Sequence, residues 1–187
     1  MFSVTVNREY ICPSITKFLK HMFSFTKEEL TNLDYKVKKI SAFAELWECP
    51  VTREKALHAT VSFQTGDIIC SFGSRETLSQ PNYLTVQLNE HEHILLDPEF
   101  LQYINHSCQP NVFFDTTHQV VRCLSSIELG EELSFFYPST EWSMDQGFDC
   151  VCKSEGCLGR IQGAAHLRPD ILNNYQLSAY IQQKLNQ

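Results

Sequence analysis

The heptad Asn105-His106-Ser107-Cys108-Gln109-Pro110-Asn111 and the cluster Cys150-x-Cys152-x4-Cys157 decide how this chain is read. Three of their four thiols are tightly spaced, and the fourth, Cys108, lies 42 positions upstream of Cys150. Four thiolates satisfy a tetrahedral structural zinc and leave no position open for chemistry. A metal held this way would pin the carboxy-terminal tail against the Asn-His-Ser-Cys segment. Whatever that segment does would then be done in a pocket closed by the tail.

At 187 residues the chain suits one domain with a substantial core. It is 43% hydrophobic and 20% charged, an ordinary globular balance. No apolar run reaches the roughly 18 to 20 residues of a membrane span. The first residues, Met1-Phe2-Ser3-Val4-Thr5-Val6-Asn7, lack the basic-then-apolar form of a signal peptide, so an intracellular protein is expected. In that setting the eight cysteines read better as metal ligands plus small buried hydrophobes (Cys12, Cys49, Cys70 and Cys123) than as disulfides. The net charge of -7 argues against direct nucleic-acid binding through phosphate contacts and is compatible with a basic peptide partner.

Thr26-Lys27-Glu28-Glu29 has the form of a capping box and predicts a short helix with Leu30, Leu33 and Val37 on one face. From Ala56 onward short alternating runs predict strands at 59–63, 67–72, 83–88, 93–96, 111–114, 119–123 and 132–137. Residues 176–185 predict a terminal helix. His91-x-His93, flanked by Glu90 and Glu92, reads as a solvated loop rather than a metal pair. The pattern is mainly β with short helices, built from small sheets.

The order Tyr103-Ile104-Asn105-His106-Ser107-Cys108-Gln109-Pro110-Asn111, then Gly130-Glu131-Glu132-Leu133-Ser134-Phe135-Phe136-Tyr137, then the cysteine cluster resembles the SET-domain protein lysine methyltransferases with their post-SET zinc motif. The resemblance covers about residues 50 to 163. It implies a SET-like fold of small curved β-sheets, in which the Asn105 and Gly130–Tyr137 segments cross as a pseudoknot, with a zinc-bound post-SET tail. The implied organisation is an amino-terminal flank (1–50), a SET domain (51–140) and a post-SET zinc segment with the carboxy-terminal helix (141–187).

The same resemblance implies S-adenosylmethionine as cofactor, bound by Lys55, Ala56, Leu57, Asn105, His106 and Tyr137, and structural zinc on Cys108, Cys150, Cys152 and Cys157. Tyr137 matches the family's active-site tyrosine, whose hydroxyl would orient a substrate amine at the end of a narrow channel. Trp142 and Phe148 are candidates for that channel's wall. The implied activity is methyl transfer to a lysine side chain of a protein or peptide, with a histone tail as the default substrate class, no direct nucleic acid and no membrane. The chain departs from the family pattern in three places. Glu54-Lys55-Ala56 replaces the usual Gly-x-Gly, Phe136 replaces the Asp before the tyrosine, and Gln102 replaces a basic residue. These departures keep open an alternative, a catalytically inactive SET-like module that binds proteins through its zinc-closed groove.

Overall fold

The computed structural model describes residues 34–187. Its first strands are β1 (Lys36–Lys39), β2 (Ala44–Glu48), β3 (Lys55–Ala59), β4 (Ile68–Ser71), β5 (Gly73–Leu78), β6 (Thr85–Gln87) and β7 (His93–Asp97). They are followed by β8 (Asn105–His106), β9 (Val112–Asp115), β10 (Val120–Cys123), β11 (Ser134–Phe135), β12 (Phe148–Asp149) and β13 (Arg160–Ile161). Among the described residues these form four small sheets, ordered β1-β2-β3, β5-β7-β6, β4-β10-β9-β11-β8 and β12-β13. Two short helices, α1 (Pro169–Leu172) and α2 (Ala179–Leu185), complete the tail. The mainly β, SET-like architecture expected from the sequence is the one observed.

Leu57, Val112, Phe114, Val121, Ile127 and Leu133 are fully buried and form the centre of the main core. β3 is the hinge between two sheets. One edge pairs antiparallel with β2. The other receives the 130–133 segment, through Ala59 N–H to Glu131 O (2.9 Å) and Leu133 N–H to Leu57 O (2.8 Å). With partners on both sides, four of its five residues are buried.

The crossing is built at β11. This strand pairs parallel with β8 on one side and with β9 on the other, so residues 134–135 thread between two pieces of the 105–115 segment. Asn111 locks the threading. Its backbone N–H donates to Ser134 O (3.1 Å), its Oδ1 accepts from Ser134 N–H (2.8 Å), and its Nδ2 donates to Glu132 O (2.8 Å). Gly130 turns the chain into this crossing at φ +88°, where a side chain would be strained.

Several boundaries differ from the sequence reading. Most of the predicted 26–37 helix lies outside the described residues, and its last position, Val37, belongs to strand β1, paired with Trp47. The strand expected at 59–63 ends at Ala59, because the pairing with β2 begins earlier; Phe63 keeps only an isolated bridge to Ile127. The run 132–137 contributes just two strand residues before Tyr137-Pro138-Ser139 turns into a 3-10 helix. A proline ring cannot extend the ladder. β5 was not foreseen: its residues are mostly exposed and polar, so it lacks the apolar alternation that marks a strand. His93 does not sit in a solvated loop but is buried in β7, while His91 is exposed. The terminal helix begins at Ala179, where the Ser178 side chain caps it by accepting from Ile181 N–H.

Truncating Asn111 to Ala leaves the Glu132 carbonyl and the Ser134 amide unsatisfied in the interior. The expected loss is about 2–4 kcal/mol of unfolding free energy, measured by denaturant titration. A loss below about 1 kcal/mol would mean that the crossing is held by packing alone.

Candidate active site and thiol cluster

Tyr137 stands where the crossing ends. Its hydroxyl donates to Ile104 O (3.4 Å), and its ring meets Phe135, His106 and Phe148 at centroid distances of 4.6, 5.2 and 5.8 Å. Burial, with the carboxylates of Glu132 and Glu141 acting in the same direction, pushes its phenol above the ordinary range, so it is a neutral hydrogen-bonding group.

His106 links this tyrosine to the cysteines. Its Nδ1 accepts from Tyr137 N–H (3.2 Å), which places the proton of the neutral ring on Nε2, aimed at Cys108 Sγ (3.4 Å). Burial lowers its pKa to about 4, so the ring is neutral near pH 7. Asn105, its neighbour on β8, is engaged elsewhere. The two hydrogens of its side-chain amide go to Lys55 O (3.0 Å) and Glu132 Oε1 (2.9 Å). Only its carbonyl oxygen remains for a further partner. Ala56 and Leu57 are buried in the core, and Leu57 O accepts from Leu133 N–H. Lys55 is half-buried, and its ammonium lies over the Tyr103 ring at 5.0 Å.

The four cysteines of the sequence motif converge. The sulfurs of Cys108, Cys150, Cys152 and Cys157 all lie within 4.8 Å of one another, and Cys108 and Cys150 are 3.8 Å apart. The edge of a zinc-thiolate tetrahedron with bonds of about 2.3 Å is about 3.8 Å, so the donor set fits zinc in type, number and spacing. Burial raises the Cys108 thiol to about 11. Burial also raises Cys152, but hydrogen bonds from Ser154 and its neighbours bring that thiol down to about 6. A bound cation would hold all four as thiolates. Cys49 and Cys123 are buried apart from this cluster, as small hydrophobes.

The tail closes over the cluster. Tyr175 donates its hydroxyl to Cys108 O (2.9 Å) and stacks on Phe136, ring centroids 3.7 Å apart. Phe136, where the family pattern has Asp, is therefore the platform on which the tail rests. Gly163 permits the close approach, since a Cβ there would come within 2.6 Å of Trp142 O. Trp142 packs into this tail cluster beneath Lys184 and does not line the cleft beside Tyr137.

That cleft has a volume of about 230 Å³ and is walled by Tyr83, Leu101, Ile104, Phe135, Tyr137 and Phe148. Phe148 thus takes the wall position expected of it, and Gln102 also borders the space. Sequence reasoning missed Glu141, a buried carboxylate that borders the same cleft. The available signal was a lone acidic residue between Thr140 and Trp142, four positions after Tyr137. It also missed Tyr175, which carries no motif.

If the four thiols hold structural zinc, protein purified without added metal should contain about one zinc per chain. Removing it with a chelator should lower the thermal midpoint by at least about 5 °C. Metal-free protein with an unchanged midpoint would exclude a structural metal.

Residues 54–138 match the family model described as SET domain. The methyltransferase flvH of Aspergillus flavus is 42% identical over 87 residues, covering 46% of this chain and 49% of that protein. A histone-lysine N-methyltransferase, H3 lysine-4 specific, of Emericella nidulans is 38% identical over 65 residues, covering 31% of this chain and 5% of that protein. The chain therefore spans about half the length of the first of these relatives and a small part of the second. Among solved structures, KRYPTONITE in complex with mCHH DNA, H3(1-15) peptide and SAH has a TM-score of 0.51 at 20% identity, covering 65% of this chain and 30% of that chain. At that identity the likeness concerns the fold. The threaded β11 and the 105–111 heptad both lie within residues 54–138, the stretch of this chain that matches the SET domain family model.

Proposed function

We propose that this chain transfers a methyl group from S-adenosylmethionine to a lysine side chain of a protein, with a histone tail as the leading substrate class. The observation that carries this reading is Tyr137: a neutral phenol in the wall of an aromatic cleft, held by the crossing of the 105–111 and 130–137 segments. The relatives support it through their descriptions, one as a methyltransferase and one as an H3 lysine-4 methyltransferase. The solved neighbour supports it by carrying SAH and an H3 peptide. That neighbour also carries DNA, so the expectation of no direct nucleic-acid contact has no support from it and rests on the net charge of -7 alone.

When bound, S-adenosylmethionine supplies a sulfonium methyl group open to in-line displacement. The backbone of residues 55–57, the Asn105 carbonyl oxygen and the neutral His106 ring are the groups that would hold it. The aromatic wall formed by Phe135, Tyr137 and Phe148 excludes water from a lysine side chain and orients its nitrogen. The Tyr137 hydroxyl, anchored near Ile104 O, supplies a fixed dipole at the reacting end.

A specific feature favours a second reading, the non-catalytic binding module. Both amide hydrogens of Asn105 are engaged internally, and Glu54 and Ala56 stand at the positions where the family has glycines. Titration of S-adenosylmethionine into the zinc-loaded protein by calorimetry separates the two. Saturable binding weakened in Asn105→Ala supports the enzyme; no binding by folded, metal-loaded protein supports the module.

Tyr137→Phe should keep cofactor affinity within about twofold and lower labelled-methyl transfer to lysine peptides by about 100-fold or more. Undiminished transfer would remove Tyr137 from the reaction.

A further inference from the structure

The charges around the aromatic cleft are all of one sign. Among the described residues, its only ionisable acids and bases apart from tyrosine are two carboxylates, Asp145 and Glu141, and no Lys, Arg or His lines it. Asp145 is exposed, whereas Glu141 is 6% exposed, so one carboxylate lies at the surface and one in the interior. Oε1 of Glu141 accepts from Gln87 N–H (2.9 Å) and from the Thr140 hydroxyl (3.1 Å). Among the described residues Oε2 has no hydrogen-bond partner and no cation pairs with either oxygen. A buried carboxylate without a counter-charge is costly unless a ligand supplies one.

We propose that Glu141 is the specificity-determining residue of this cleft, the internal counter-charge that admits a cationic side chain in preference to a neutral one of the same shape. This deepens the lysine-transfer reading and rests on it for the identity of the side chain. The geometry suits the task. Tyr83, 74% exposed, and the rings of Phe135, Tyr137 and Phe148 offer aromatic faces to an alkyl stem and its cation. Glu141 follows Tyr137 by four positions and its N–H is bonded to Tyr137 O (3.0 Å), so the carboxylate and the phenol are carried on one rigid turn. The ammonium so held must still lose a proton before its nitrogen can attack a methyl group; Glu141 governs which side chain enters, not that loss.

Burial raises the Glu141 carboxyl to about 7, against the two hydrogen bonds that favour its ionised form. Selection of a cation therefore grows as pH rises through that value. The other titratable groups around Glu141 are Tyr137 on its own turn, His93 paired across from Gln87, Tyr180 of α2, Asp145 on the cleft wall and His166 in the turn that bonds to Glu141 O. Burial pushes Tyr137 and Tyr180 up and His93 down, so these three stay neutral between about pH 7 and about pH 8.

The test uses two small probes of equal shape, n-butylammonium and n-butanol, titrated into the full chain without methyl donor. Chemical shifts of the Tyr137 and Phe148 rings report binding. The wild-type protein should prefer the ammonium by about tenfold near pH 8, with the preference falling about threefold by about pH 6.5. Glu141→Gln keeps a carbonyl oxygen for Gln87 N–H and Thr140, so it should fold with an unchanged thermal midpoint. It should bring the two probes within about twofold at every pH. Glu141→Asp, if it restores part of the preference, identifies charge rather than packing as the cause. A preference that persists in Glu141→Gln, or a wild-type protein that does not distinguish the probes, overturns the assignment. Absent methyl transfer to lysine peptides, with the probe preference intact, overturns the enzyme reading alone.

Discussion

The structure depends on one crossing, the passage of Ser134–Phe135 between β8 and β9, and on the side chain that makes it possible. A strand buried among others must find partners for every backbone group, and the ladder at β11 is only two residues long. Asn111 supplies what the ladder lacks. Its amide mimics a peptide unit, accepting from Ser134 and donating to Glu132. Gly130 sets the entry and Pro138 sets the exit. Tyr137 inherits its position from this constraint, since it stands two residues past Phe135, where the crossing ends.

A second layer of organisation hangs on His106. One ring nitrogen receives the Tyr137 amide and the other faces Cys108, so the active-site candidate and the thiol cluster share a single imidazole. Its neutrality is enforced by burial, and a protonated ring would lose the acceptor that Tyr137 uses. The tail then packs over Phe136 and Cys108 through Tyr175. A structural metal at the four sulfurs would therefore brace the tail and, through His106, the turn that carries Tyr137. The same turn carries Glu141, which gives the cleft beside Tyr137 a buried carboxyl group within aromatic walls.

Much of this was legible in the chain itself. The heptad 105–111, the Gly130–Tyr137 run and the four cysteines named the crossing, the tyrosine and the ligand set, because each depends on residue types that few other arrangements need. Cysteine spacing predicts convergence since thiolates have little other reason to cluster. Gly130 was readable for the same reason: its conformation excludes side chains. The short strands were legible in kind but not in extent, because the ends of β3 and β11 are set by partners distant in sequence.

What only the tertiary structure decided concerns residues with no type-specific signature. Phe136 reads as a strand aromatic and proves to be the platform for the tail. Asn105 reads as a ligand contact, yet its amide hydrogens are drawn to Lys55 and Glu132, which come near only after folding. His93 and Glu141 look solvated among polar neighbours, and both are buried by strands and turns that arrive from elsewhere. The sequence by itself determined the family resemblance and the convergence of the four thiols, since these rest on local chemistry. The tertiary structure decided which polar groups lose their water and which keep a free atom facing the cleft, because desolvation is set by the packing of distant segments.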